Sequence, residues 1–229
     1  MSELIDLVLA SASPRRRELL SLLTLPFRVE QADIDESQRP DEPPFELVQR
    51  LSKEKAGVVA QRPQNRTSVI LAADTIVLLV GRVLGKPDDE AHAREMLTQL
   101  RGQKHRVMTS ITVIDNRTGK AMTEVCESKV TLRWMSDEEI DGYVQSGDPM
   151  DKAAAYAVQN EEFSPAEQLI GCPANVMGLP MCHVVMLFRR LGIDLPASLP
   201  LDCRVQFGGY YCALAELAMP GLTEQGMLP

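Results

Sequence analysis

An α/β domain around a mixed sheet is the fold that the sequence predicts, on three observations. Short apolar runs alternate with amphipathic stretches of helical period along most of the chain. Residues 68–80 form the most hydrophobic run, with the length and β-branched content of a buried strand. Residues 107–115 and 123–134 read as two further strands joined by a turn at 116–119; a pair so connected is antiparallel, which makes the sheet mixed.

Composition bounds the rest. The chain has 229 residues, enough to bury a substantial core, and its 45% hydrophobic and 24% charged content is that of a folded globular protein. A net charge of −8 leaves no extended basic face for a nucleic-acid backbone, whereas a small phosphorylated ligand needs only a local group of Lys and Arg. The start lacks a basic signal-peptide region, and no apolar run approaches the ~18 residues of a membrane span, so the expected setting is the cytoplasm without a membrane. Five cysteines with no CxxC spacing suit reduced thiols in that compartment. The scattered His92, His105 and His183 offer no structural zinc site.

In chain order, residues 4–9 read as a short buried strand. It turns through Ser11-Ala12-Ser13 into a helix with Ser13 as N-cap and Pro14 at the first helical position. Residues 27–30 form a short strand, 32–36 an acidic segment and 39–44 a proline-rich loop. Residues 45–61 form a helix with Leu47, Val48, Leu51 and Val59 at helical spacing. The 68–80 strand is expected to bend or break near its middle and to turn at Gly81 toward Gly85-Lys86-Pro87. Residues 88–101 form an amphipathic helix ended by Gly102. A capping box of Ser136 and Glu139 opens a helix that closes at Gly147. The loop 148–152 leads to a run of small residues at 153–158, and residues 180–191 form the last core helix. Residues 1–195 are read as the folded domain and 196–229 as an appendage of unknown role.

Several residues break these patterns. Arg15, Arg16 and Arg17 crowd cations at the positive end of the first helix, an unfavourable choice unless an anion lies there. With backbone N–H groups and the Ser11 and Ser13 hydroxyls, this helix start is either a phosphate site or an ordinary capped helix with a solvated basic turn. Lys55 interrupts its helix's apolar stripe between Leu51 and Val59, and either snorkels to water or meets a charge inside. Asp74 sits within a run suited to burial, where an unpaired carboxylate is strongly unfavourable. It needs a metal, cationic partners or a pocket; a structural carboxylate at a strand break is the alternative. Asp33, Asp35 and Glu36 add oxygen ligands, and Glu36 with Asp74 would suffice for Mg²⁺, which takes one or two carboxylates plus waters and phosphates. No Walker-type phosphate loop, GxGxxG, GxSxG or HExxH is present, which removes the main support for an ATPase, a dehydrogenase or an α/β-hydrolase. What remains suggests metal-assisted hydrolysis of a phosphorylated small molecule.

Seven short segments, in order, extend that reading. They are Ser11-Ala12-Ser13-Pro14-Arg15-Arg16 with Glu18-Leu19-Leu20, Lys55-Ala56, Ala73-Asp74-Thr75-Ile76-Val77 and Leu84-Gly85-Lys86-Pro87. Pro149-Met150-Asp151-Lys152, Tyr156 with Gln159, and Asn175-Val176-Met177-Gly178-Leu179-Pro180 complete the set. Together they resemble the motifs of the Maf proteins, nucleoside triphosphate pyrophosphatases once linked to septum formation. The resemblance covers residues 8–193. It implies a two-lobed, twisted mixed sheet with flanking helices and a central cleft, similar to the inosine triphosphate pyrophosphatases. It also implies cleavage of a nucleoside triphosphate to the monophosphate and pyrophosphate, with a divalent cation (Mg²⁺ or Mn²⁺), and suggests a homodimer. On the matching positions, Asp74 resembles the proton acceptor and shares the metal with Glu36. Ser11, Arg15, Arg16, Lys55, Lys86 and Lys152 resemble the substrate-binding set.

The branch that acts on dTTP and UTP carries an Arg, a Thr and a Gln at three specificity positions, matched here by Arg15, Thr75 and Gln159. The branch resembling 7-methyl-GTP pyrophosphatases departs at all three. A Gln amide can pair with both the carbonyl and the N–H edge of uracil or thymine. In the run 152–160, Ala154 and Ala157 stand where the family has glycines, so any φ > 0 geometry there is strained. Hydrolysis of dTTP and UTP is the expected function. The alternatives are a nucleotide-binding regulator of cell division and a pyrophosphatase for CTP or a modified guanine nucleotide.

Overall fold

Eleven consecutive residues, Val69–Leu79, form the strand on which the other elements are arranged. In the computed structural model, which describes residues 5–193, the elements are β1 (Leu7–Leu9), α1 (Pro14–Ser21), β2 (Phe27–Val29), α2 (Pro44–Ala60), β3 (Val69–Leu79) and β4 (Arg82–Leu84). They continue as α3 (Glu90–Leu100), β5 (Lys104–Asp115), β6 (Lys120–Leu132), α4 (Asp137–Gln145), β7 (Ala166–Ile170), α5 (Pro173–Val176) and α6 (Met181–Arg190). The expected appendage at 196–229 lies outside the described residues. The strands make one seven-stranded sheet in the order β2-β1-β3-β5-β6-β7, with β4 also on β3. β1 runs parallel to β2 and β3, and every other pairing is antiparallel, so the sheet is mixed as expected.

Local sequence accounts for the ends of these elements. Ser13 Oγ accepts from Arg16 N at 3.5 Å, Asp89 caps α3, and Ser136 with Glu139 closes a complete capping box on α4. Gly147, at φ 74, supplies the left-handed turn after α4. The expected break in the 68–80 run does not occur. β3 pairs with β5 without interruption from Val69↔Asp115 to Leu78↔Arg106, and Asp74 sits opposite Ser110 within that ladder. β7 and the four-residue α5 have no counterpart in the sequence-based expectations. β7 is an edge strand with mostly exposed side chains, so it carries no strong apolar signal.

The alternation of β3 divides the core. Its even residues, Ile70, Ala72, Ile76 and Leu78, face α2 through Val59, Leu51 and Leu47. The odd residues face the other way and split into two groups. Leu71 and Ala73 pack with Leu9, Leu20 and Phe188 of β1, α1 and α6. Val77 packs with Leu97, Ile140 and Tyr156 of α3, α4 and the segment after it. Thr75 falls between these groups, at the boundary between two lobes. No helix among the described residues is long and apolar enough to cross a membrane.

Candidate active site

A cleft of about 650 Å³ opens at that boundary, and Ser11, Arg15, Arg16, Glu36, Lys55, Asp74, Thr75 and Lys86 all line it. β3 delivers Asp74 on the α2 side and Thr75 on the lobe-boundary side, so one strand supplies two different walls.

On the α2 side, Asp74 is 5% exposed and Lys55 8%. Lys55 Nζ donates to Asp74 Oδ1 at 2.6 Å and lies 2.9 Å from Glu36 Oε1. The break in the α2 apolar stripe therefore places an ammonium against a buried carboxylate; Lys55 does not run out to water. Asp74 is likewise no cap at a strand break, because the strand is continuous there. Two carboxylates that reach the same ammonium converge on one point, and this is the donor set a divalent cation takes when phosphates and water complete its shell. Among the described residues, no group of three or more His, Cys, Asp or Glu side chains is placed to hold a metal by protein ligands alone.

On the other side, Arg16 acts as a clasp. Its Nε donates to the Gly178 carbonyl at 2.8 Å, Nη2 to Thr75 Oγ1 at 3.0 Å and Nη1 to Ser11 Oγ at 3.3 Å. Burial draws its pKa below the ordinary guanidinium value, while the charges of Asp74 and Glu36 push it back up and that of Arg15 adds to the lowering. Arg15 also lines the cleft, and its Nε is buried with no partner among the described residues. Arg17 is exposed and lies outside the cleft lining.

Two expected substrate residues lie elsewhere. Lys152 is buried outside the cleft lining, with Nζ on Asp148 Oδ1 at 2.9 Å, on Asp151 Oδ1 at 2.6 Å and on the Asp148 carbonyl. Its charge is taken up by its own loop. Gln159 is exposed and also outside the lining. Family resemblance put Gln159 among the specificity positions; the cleft lining includes Tyr156 but not this side chain.

Other residues shape the site without having been singled out for it. Gly178, at φ 108, approaches so closely that a Cβ would stand 3.3 Å from both Arg16 Nε and Thr75 Oγ1. Thr109 Oγ1 bonds Thr75 Oγ1 at 2.9 Å and donates to the Asn175 carbonyl at 2.9 Å. Asn175 Nδ2 in turn donates to Val107 O at 3.1 Å and Ser128 Oγ at 2.8 Å, fixing α5 to β5 and β6. Tyr156 lines the cleft, and its hydroxyl bonds His105 Nε2 at 2.6 Å. Burial lowers the His105 pKa to about 4 and raises that of Tyr156, so both are neutral at pH 7. Tyr156, Asn175 and Gly178 fall in segments that carry the family resemblance, without an assigned role; Thr109 and His105 had no such signal.

The fold and cleft define an α/β protein with an anion-receiving groove, floored by a buried carboxylate and walled by arginines and lysines. The profile of the family described as "Maf-like protein" matches residues 6–191, and the chain belongs to this family. It is 44% identical over 196 residues to the dTTP/UTP pyrophosphatase of Anaeromyxobacter dehalogenans (strain 2CP-1 / ATCC BAA-258), covering 85% of this chain and 98% of the relative. To the dTTP/UTP pyrophosphatase of Syntrophus aciditrophicus (strain SB) it is 44% identical, covering 81% and 90%. To that of Hahella chejuensis (strain KCTC 2396) it is 43% identical, covering 82% and 94%. Among solved structures, the Staphylococcus aureus Ham1 protein matches 56% of this chain and 71% of its own at 13% identity and a TM-score of 0.38, too slight to carry an argument.

Proposed function

We propose that this protein hydrolyses nucleoside triphosphates, dTTP and UTP foremost, to the nucleoside monophosphate and pyrophosphate. The observation that carries the proposal is the buried Asp74–Lys55–Glu36 group at the floor of an arginine-lined cleft, in a chain closely similar to proteins named for that activity.

The residues divide the work by position. Asp74 takes a proton from a water that attacks the α-phosphorus, and the bond to the bridging oxygen breaks to release pyrophosphate. Lys55 leaves its carboxylates for the incoming phosphates, while Lys86 and the unpartnered Nε of Arg15 hold the triphosphate and offset charge on the leaving group. Ser11, held by Arg16, keeps its hydroxyl at the mouth of α1. Asp74 and Glu36 would hold a divalent cation such as Mg²⁺ or Mn²⁺, which when bound supplies charge neutralisation across the phosphates. The proposal includes a cytoplasmic setting, where nucleotide pools lie, and a homodimer, as family resemblance suggests.

Pyrophosphate release from a panel of nucleoside triphosphates tests it. The expected result is turnover of UTP and dTTP that chelation abolishes and Mg²⁺ or Mn²⁺ restores. Asp74→Asn should lower kcat by about 10²–10⁴, the usual worth of a general base. Binding without release for every nucleotide, or full activity in Asp74→Asn, would overturn the proposal.

A further inference from the structure

Thr75 is the polar end of an apolar part of the cleft. On its side of β3 the lining includes Val107, Tyr156, Val176 and Met177, surface that suits a flat base, whereas the charged group around Asp74 lies on the opposite side of the strand. What Thr75 offers a base depends on where its single hydroxyl proton points. The hydrogen-bond chain behind it decides that.

The Asn175 carbonyl has no proton to give, so Thr109 must be the donor in their 2.9 Å contact. A hydroxyl has one proton, and that use exhausts Thr109. In the 2.9 Å contact between the two threonines, Thr75 is therefore the donor and Thr109 the acceptor. Arg16 Nη2 donates to Thr75 Oγ1 at 3.0 Å and occupies a lone pair. With its proton directed into the protein, Thr75 has only a lone pair left for a ligand. Thr109 is fully buried and stands outside the cleft lining.

We propose that Thr109 is a positioning residue for base selection. Through this relay it fixes Thr75 as an acceptor, so that the cleft favours a base presenting an N–H there, as N3–H of uracil or thymine does. Cytosine, whose N3 is itself an acceptor, meets a lone pair with a lone pair and is disfavoured. The inference rests on the nucleotide reading above and adds the device by which that site chooses its base.

Thr109→Val keeps the shape of the side chain and removes its oxygen, which releases the Thr75 proton to turn toward the cleft. Two quantities are measured for UTP and CTP: kcat/KM, and the Kd of their non-hydrolysable α,β-methylene analogues. The preference for uracil over cytosine should fall about tenfold in both, with cytosine binding gaining in absolute terms, a gain that a merely structural defect would not produce. Thr109→Ser, which restores the hydroxyl, should keep the wild-type preference. In a Thr75→Val background, adding Thr109→Val should leave the preference where Thr75→Val alone sets it. Thr109→Ala makes the same prediction should the valine variant not fold. An unchanged Kd ratio in Thr109→Val, an equal loss for both analogues, or no uracil preference in the wild type would overturn the inference. If analogues bind with the expected ratios but no nucleotide is hydrolysed, it is the hydrolytic reading that fails and this one that stands.

Discussion

His105 shows what burial does to a single titratable group. The ring is 2% exposed, and burial holds its pKa near 4, below the ordinary 6.5. As pH falls, the unfolded chain takes up this proton first, so the associated stability is complete above about 6.5 and is lost progressively down to about 4. The shift corresponds to about 3 kcal/mol. His105→Gln, which can still bond the Tyr156 hydroxyl but does not titrate, should flatten the loss of thermal stability between pH 7 and 4.5; an unchanged slope would mean that other groups dominate acid unfolding. Residues of this kind differ in how plainly they announce themselves. Asp74 and Lys55 were legible because each puts a charge into an apolar pattern, and the structure places one against the other. Arg15 and Arg16 were legible as cations at the wrong end of a helix. Thr109 was not, and Asn175 and Gly178 showed only as part of a matching segment with no role attached, because their partners lie far away in sequence and their types are ordinary for buried strands and turns.

Among the elements, the segment after α4 stores strain. Ala154 sits at φ 59 and ψ 22, and Ala155 at φ 60, the left-handed region in which an L side chain costs about 1–2 kcal/mol. Ala157, the other alanine standing for a family glycine, is not among the residues of positive φ. The strained pair is held down by packing and by Ala154 N, which donates to the Gly85 carbonyl at 2.8 Å beside Lys86. Ala154→Gly should therefore raise stability by about 1 kcal/mol, or about 2–4 °C in Tm. A fall in Tm on calorimetry would show that the lost methyl packing outweighs the relief. Element boundaries followed the sequence where chemistry marks them: the capping box of α4, the Ser13 cap, the turn after Gly102. The 68–80 run, expected to bend or break, does not break, for a physical reason. Burial of Asp74 is compensated by a lysine from α2, so the strand has no need to break in order to bring that carboxylate to solvent.

At the scale of the whole molecule, one sheet carries both lobes, and a polar network runs across it beside the cleft. Asn175 ties α5 to β5 and β6, Gly178 follows two residues after α5, and its carbonyl anchors Arg16 of α1. Cutting the network at its centre should thus be felt twice. Asn175→Ala should lower stability by about 1–2 kcal/mol, since two buried hydrogen bonds are lost, to Val107 O and to Ser128 Oγ, although Ser128 Oγ still accepts from Cys172 N. It should also lower kcat/KM, because the Arg16 anchor moves. Urea titration with an unchanged m-value would register the first effect and nucleotide assays the second; a stable variant with full activity would show that the lobes hold their spacing without it. This division into lobes came from family resemblance. Periodicity alone pointed to an α/β sheet, because the split of the odd face of β3 between two clusters depends on which helices pack there.

The ammonium of Lys55 between Asp74 and Glu36 also settles the charge of the groove. Two anions facing each other in a sheltered groove would repel and draw in whatever cation passed. Lys55 acts as a tethered counter-ion that spares them both; in the proposed reaction it would relinquish them to a newcomer that offers negative charge in exchange. On the proposed reading, a groove so guarded should hold stray cations weakly and favour cargo that brings its own phosphates.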